Sequence, residues 1–196
     1  RFKFFGQSAV AVALFFLFFL FFMIFSNGIP GFFQHYLELE IELDRKIIDP
    51  RGDLSPESFF EGGTKKIINE GLYKTLGNID GRKERKTARS IISTASDLRL
   101  IKFLEKNPEK LGTTIKFKFA VDDDIDSFLR GFIDRNVPES ERRLSNLAIN
   151  YIDLLSSEGK ISFEISDYLF FGSASREAEI AGIKGAFIGS ILTLFI

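Results

Sequence analysis

From Ala9 to Phe25 the chain carries no charge, no polar side chain and no helix breaker. With Phe4 to Ser8 the run reaches about 22 residues, which as a helix measures roughly 33 Å, enough to cross a hydrocarbon core. Arg1 and Lys3 precede it, whereas Ser26-Asn-Gly-Ile-Pro-Gly31 follows without a cation. The positive-inside rule therefore places the N-terminus in the cytoplasm and the following segment outside. A cleaved signal peptide is the rival reading, but its apolar region is usually shorter and no small-x-small cleavage site stands near Ser26. Gly28-Ile-Pro-Gly31 is expected to end the helix, with Phe32, Phe33 and Tyr36 forming an interfacial aromatic belt.

Three stretches then alternate with period two. In Tyr36-Leu-Glu-Leu-Glu-Ile-Glu-Leu43 the apolar positions face one way and Glu38, Glu40 and Glu42 the other, which predicts a strand with one wet face. In Ile115-Lys-Phe-Lys-Phe-Ala-Val121, Lys116 and Lys118 oppose Phe117 and Phe119. In Lys160-Ile-Ser-Phe-Glu-Ile-Ser166 the pattern predicts burial of Ile161, Phe163 and Ile165. A Glu stripe and a Lys stripe suit cross-strand neighbours, so the three are expected in one sheet.

Between the strands the period turns helical. Ser55-Pro56-Glu57 opens a helix with a cap and a first-turn proline, and Gly62-Gly63 separates it from a second helix over Lys65–Leu76. Arg82–Lys106 reads as one longer helix with Ile91, Ala95, Leu98, Ile101 and Leu104 on its inner face. Asn107-Pro108 stops it, with a further turn at Glu109-Lys-Leu111. Asp122-Asp-Asp-Ile-Asp-Ser-Phe-Leu129 starts a short helix. Pro138-Glu-Ser-Glu141 starts another, which buries Leu144, Leu147, Ile149, Ile152 and Leu155 and ends at Gly159. The fold class is α+β: a small, mostly antiparallel sheet covered by helices, set between two transmembrane helices. The second of these begins after Lys184, where Gly185-Ala-Phe-Ile-Gly189 offers a small-xxx-small face, with a soluble amphipathic helix as the alternative. The expected divisions are 1–27 for the cytoplasmic end and first span, 28–174 for the extracytoplasmic domain, and 175–196 for the start of the second span. Because the chain opens on Arg1 and closes inside an apolar run, it is expected to be a piece of a longer protein.

Composition narrows the function classes. The net charge of −1 argues against a nucleic-acid partner, which needs a basic face. With no Cys, disulfides and thiolate metal sites are excluded. About a third of the 24 Phe lie in the first apolar run, where they face lipid rather than a core. The Asp122, Asp123, Asp124 and Asp126 cluster lacks the glycine and distal Glu of a calcium loop, and capping with the helix dipole accounts for it. Gly81-Arg-Lys-Glu-Arg-Lys86 reads as a solvated helix start rather than an anion site. His35 is the sole histidine and is expected at the membrane edge. No acid/base pair, activated nucleophile or phosphate-cradling glycine loop is visible, so an enzyme, a cofactor and a metal are not expected. Ser173, Ser175 and Arg176, at a helix start near the membrane, are the candidate anion or docking residues. The cations are spread along helices, which predicts docking rather than phosphate capture by the outer domain.

Taken together, Arg1-Phe-Lys-Phe-Phe-Gly6, Gly28-Ile-Pro-Gly-Phe32, the Glu-rich strand running to Ile48-Asp-Pro50, and Ser175-Arg-Glu-Ala-Glu-Ile-Ala-Gly-Ile183 with Gly189-Ser190 and Leu192-Thr193 resemble one known arrangement. It is the start of the PstA family, the permease subunits of phosphate-specific ABC importers, in the variant with a large domain between the first two spans. Lys184 stands where that family's core helix is expected to be apolar or aromatic. The resemblance implies a multi-pass protein of the inner membrane, with the bulk of this chain periplasmic. It implies a second permease subunit, a cytoplasmic ATPase subunit, a periplasmic phosphate-binding protein and membrane lipid as partners. The alternative is the periplasmic ligand-sensing domain of a two-span signalling receptor. Such a sensor more often runs its first span into a long helix, whereas here Gly28-Ile-Pro-Gly31 intervenes and a strand follows.

Overall fold

The computed structural model describes residues 2–166, 182 and 184–195. The chain divides into two compact units, Arg1–Phe33 and Gln34–Ile196. The first is built on helix α1 (Phe2–Gly28), none of whose residues is buried. A 3-10 turn over Ile29–Phe32 follows, where Pro30 contributes no backbone donor and its carbonyl accepts from Phe33 N–H. Helix α1 and this turn together form a 31-residue segment whose most apolar 18 residues have a mean hydropathy of 2.8, long and apolar enough for a membrane span and equally compatible with a signal sequence.

The second unit carries a three-stranded sheet in the order β2-β1-β3, from β1 (Phe33–Glu42), β2 (Thr114–Ala120) and β3 (Ile161–Ile165). The charge stripes meet as expected: β1 and β2 run antiparallel with Glu38 opposite Lys118 and Glu40 opposite Lys116. β3 lies antiparallel on the other side of β1, since Glu38 N–H donates to Lys160 O at 2.9 Å while Ser166 Oγ donates to Gln34 Oε1 at 3.1 Å. Leu37, Leu39 and Ile41 share one face with Phe117 and Phe119. Helices α2 (Arg45–Ile48), α3 (Pro56–Glu61), α4 (Thr64–Thr75), α5 (Arg82–Arg89), α6 (Ser96–Lys106), α7 (Asp123–Leu129) and α8 (Asn146–Ser157) complete the unit. Leu37, Leu39, Ile41 and Phe119 join Ile67, Leu72, Leu100, Leu104, Ile152 and Leu155 in one buried cluster. Each such side chain contributes about 1.5–3 kcal/mol on leaving water, so this cluster holds the unit together. A further apolar helix, α9, spans Lys184–Phe195.

Four expectations change on inspection. The helix foreseen over Arg82–Lys106 is two helices. Between α5 and α6, Ile92 bridges to Val121, Ser93 N–H donates to Ala120 O at 3.0 Å, and Asp122 N–H donates to Ile91 O at 2.9 Å. Pairing with the end of β2 satisfies backbone groups that a continuous helix would have kept, and Arg99 Nη1 covers Lys118 O on the same edge at 3.1 Å. Leu98, placed inside by periodicity, is 39% exposed as a result. Second, Pro138–Glu141 yields only a 3-10 turn over Glu139–Glu141. α8 starts at Asn146, where Ser145 Oγ accepts from Ala148 N–H at 3.2 Å. Third, Phe163 and Ile165 are 49% and 55% exposed, on β3 at one edge of the sheet. Fourth, Tyr36 is buried in the sheet rather than standing in an interfacial belt, with the Arg99 guanidinium 5.0 Å from its ring centroid.

Candidate functional site

The residues singled out by sequence do not converge on one centre. Ser173, Ser175 and Arg176 lie outside the described residues. The acidic cluster is dispersed by its own helix. Asp122 caps α7, its Oδ1 accepting from Asp124 N–H at 3.1 Å, while Asp124 pairs with Arg143 at 3.2 Å and Asp126 turns inward. Capping thus explains the start of this helix, as expected. Among the described residues no group of three or more His, Asp or Glu is placed to hold a metal ion. The basic run forms α5, packed through Ala88, with Arg82, Lys83 and Lys86 exposed.

His35 takes part in the most organised polar cluster described. Its backbone N–H donates to Asp126 Oδ1 at 3.0 Å and its Nδ1 lies 2.7 Å from the same oxygen. Arg130, one turn further along from Asp126, donates from Nε to Oδ2 at 2.5 Å. The imidazole packs against Phe163, centroids 4.5 Å apart, and the Arg130 guanidinium lies 5.2 Å from the same ring. The first residues of β1, the end of α7 and the outer strand β3 are therefore tied through one carboxylate. The i, i+4 spacing of Asp126 and Arg130 was a readable signal for their pairing. The 91-residue separation of His35 and Asp126 gave no such signal.

Burial of Asp126 pushes its carboxyl up. The hydrogen bonds from the His35 side chain, the His35 backbone and Arg130 together outweigh that and hold it below its ordinary value of 3.8. A carboxylate depressed on folding contributes stability above its unfolded-state value, and that contribution is lost as pH falls through the lower folded-state value. Asp126→Asn is therefore expected to lower stability by about 1.5–3 kcal/mol at pH 7, the worth of a charged hydrogen bond. The gap between the two proteins should shrink as pH falls below about 4. Urea unfolding at pH 7 and pH 3 measures both numbers. An equal gap at the two pH values would contradict the assignment.

A second feature is a cleft of about 350 Å³ between α7 and the segment that leads on to α8. Ile133, Val137 and the Asp124–Arg143 pair line it, and Phe132 stands at its rim with 77% of its surface exposed. Arg142, also in the lining, donates from Nη1 to Arg135 O at 2.8 Å and from Nη2 to Asn146 Oδ1. The Arg142 Nη groups are engaged inside the loop although its buried Nε has no partner among the described residues, and the cleft offers shape and an aromatic contact, the chemistry of a docking surface rather than of a reaction centre.

Residues 1–139 match the family described as Domain of unknown function (DUF3333). The chain belongs to the DUF3333 family. The DUF3333 match takes in α1, β1, β2 and α7, including His35, Asp126, Arg130 and Phe132, and ends before α8 and β3. No curated protein and no solved structure matches the chain.

Proposed function

We propose that this DUF3333 chain belongs to a membrane permease subunit of an ABC importer for inorganic phosphate, with the α+β unit on the periplasmic side in a docking or assembly role. The observation that carries the reading is α1, an apolar helix of 27 residues none of which is buried, a surface that lipid satisfies and water does not. Support comes also from α9, which is apolar and carries Gly185 and Gly189 with open space beside each, as close helix packing in a bilayer requires. The sequence resemblance to PstA permeases supplies the substrate. In this reading Phe132 and its cleft face the partner proteins, an exposed aromatic residue being a frequent anchor of interfaces.

The test is uptake of radiolabelled phosphate by cells lacking the gene. Loss of high-affinity uptake, restored by the gene in trans, is expected, together with co-purification of an ATPase subunit. Unchanged uptake, with co-purification of a signalling kinase, would replace the transport reading with the sensor reading.

A further inference from the structure

Helix α7 closes on a Schellman motif. Gly131, at φ +79°, donates from its N–H to Phe128 O at 2.9 Å, and Phe132 N–H donates to Ser127 O at 2.9 Å. In such a motif the residue after the left-handed glycine commonly packs on an apolar side chain of the last helical turn. Here the positions that would receive it are Asp126 and Ser127, which offer no apolar surface, and Phe132 is left 77% exposed. Its backbone is held by the motif while its ring stands in solvent. A large apolar group is thus displayed from a fixed point, which lowers the ordering cost of burying it against a partner.

The same patch carries a hollow able to take such a ring. The cleft beside Phe132 measures about 350 Å³, and a cavity of about 150 Å³ is enough to hold benzene. Ile133 and Val137, both half-buried, form its apolar part. Its polar walls are tied in place. Arg142 donates to Arg135 O and Asn146 Oδ1, Arg143 to Asp124 Oδ1 at 3.2 Å, and Asp134 Oδ1 accepts from Asn136 N–H at 2.9 Å. With Glu141 the lining holds three carboxylates against two guanidiniums, so it has no strong field of one sign to repel a surface like itself. A two-fold contact requires a knob, a hollow and both charge signs on one patch, because each copy receives there what it also supplies.

We propose that this patch joins two copies of the chain about a two-fold axis, Phe132 of each copy entering the cleft of the other. Phe132, Ile133 and Val137 make the apolar centre. Glu141, which is exposed and makes no ion pair among the described residues, is left to meet the guanidiniums of the other copy. One ring and one cleft per copy place the contact at the small end of specific interfaces, and it is strengthened where two chains share a membrane. The contact supplies a partner for the assembly role proposed above and rests on that part of the reading, not on what is transported.

The chain has no cysteine, so introduced ones report without background. Phe132→Cys and Val137→Cys are carried on two differently tagged copies of the full chain, co-expressed and oxidised in intact membranes. A mixed disulfide joining the two tags is expected, and none when Lys46→Cys, on α2, replaces Val137→Cys. Sedimentation equilibrium of the full chain in detergent is the second measurement. The parent is expected to dimerise and Phe132→Asp to weaken that association at least tenfold, with the urea midpoint unchanged because the side chain is exposed. Absence of the mixed disulfide, disulfides to another protein alone, or equal association of parent and Phe132→Asp overturns the proposal. Phosphate uptake by cells is a separate readout, so the transport reading can fail while this contact stands, and the reverse.

Discussion

Gly62→Ala is expected to destabilise the α+β unit by about 3 kcal/mol or more, the upper range of overpacking costs in a close-packed interior. A Cβ at this position would lie 2.1 Å from Ile48 O and 2.8 Å from Ile48 C. Both are backbone atoms, and the backbone here has little room to yield. Gly63 N–H donates to Ile47 O at 2.7 Å, so separating the two segments breaks that bond, while Gly62 N–H is itself tied to Ser58 O at 2.9 Å at the end of α3. The conformation itself is open to any residue, with φ −68° and ψ 165°, so the effect is one of contact rather than of backbone strain. Gly52→Ala provides the comparison: φ is +75° but a Cβ would meet nothing within 4 Å, and a cost of about 1 kcal/mol is expected. Urea unfolding of the two variants measures the difference. A Gly62→Ala midpoint equal to that of Gly52→Ala would refute the close approach of α2 to the end of α3.

The second large effect concerns α1. Replacing Leu14 and Leu17 together by Arg places two charges in the middle of the apolar helix, each opposing insertion by about 2.5–3.5 kcal/mol at that depth. The parent chain is expected in the carbonate-resistant membrane fraction, and the double variant is expected to leave it. No residue of α1 is buried, so the substitution removes no core packing. N-terminal sequencing of the parent protein adds the complementary result. A retained Phe2–Gly28 segment supports an anchor, and cleavage near Ser26 would make it a signal sequence.

Much of the fold was legible because short-range periodicity maps directly onto faces. The alternation in Tyr36–Leu43 and Ile115–Val121 placed leucines and phenylalanines on the buried face and matched Glu38 and Glu40 with Lys118 and Lys116. Ser55 and Asp122 announced their helices because a side-chain oxygen one position ahead of a helix satisfies its own first turn. The misreadings share a cause. Ile91 fits a helical stripe, but a neighbouring strand edge claimed the backbone groups of Ile91 and Ile92. Phe163 and Ile165 follow the strand pattern, yet on the edge strand β3 they stay half exposed.

The sequence by itself determined the apolar helix, the three strands with their inward faces, most of the helix boundaries and the α+β class. These depend on spacings of two to four residues, which the covalent chain imposes. Only the tertiary structure decided which polar groups meet. His35 reaches Asp126 and Arg130 through the approach of α7 to the start of β1, and Asp124 meets Arg143 in one cleft through the path of the segment between α7 and α8. Such encounters are set by how the apolar faces close on one another, and local pattern carries no record of that closure.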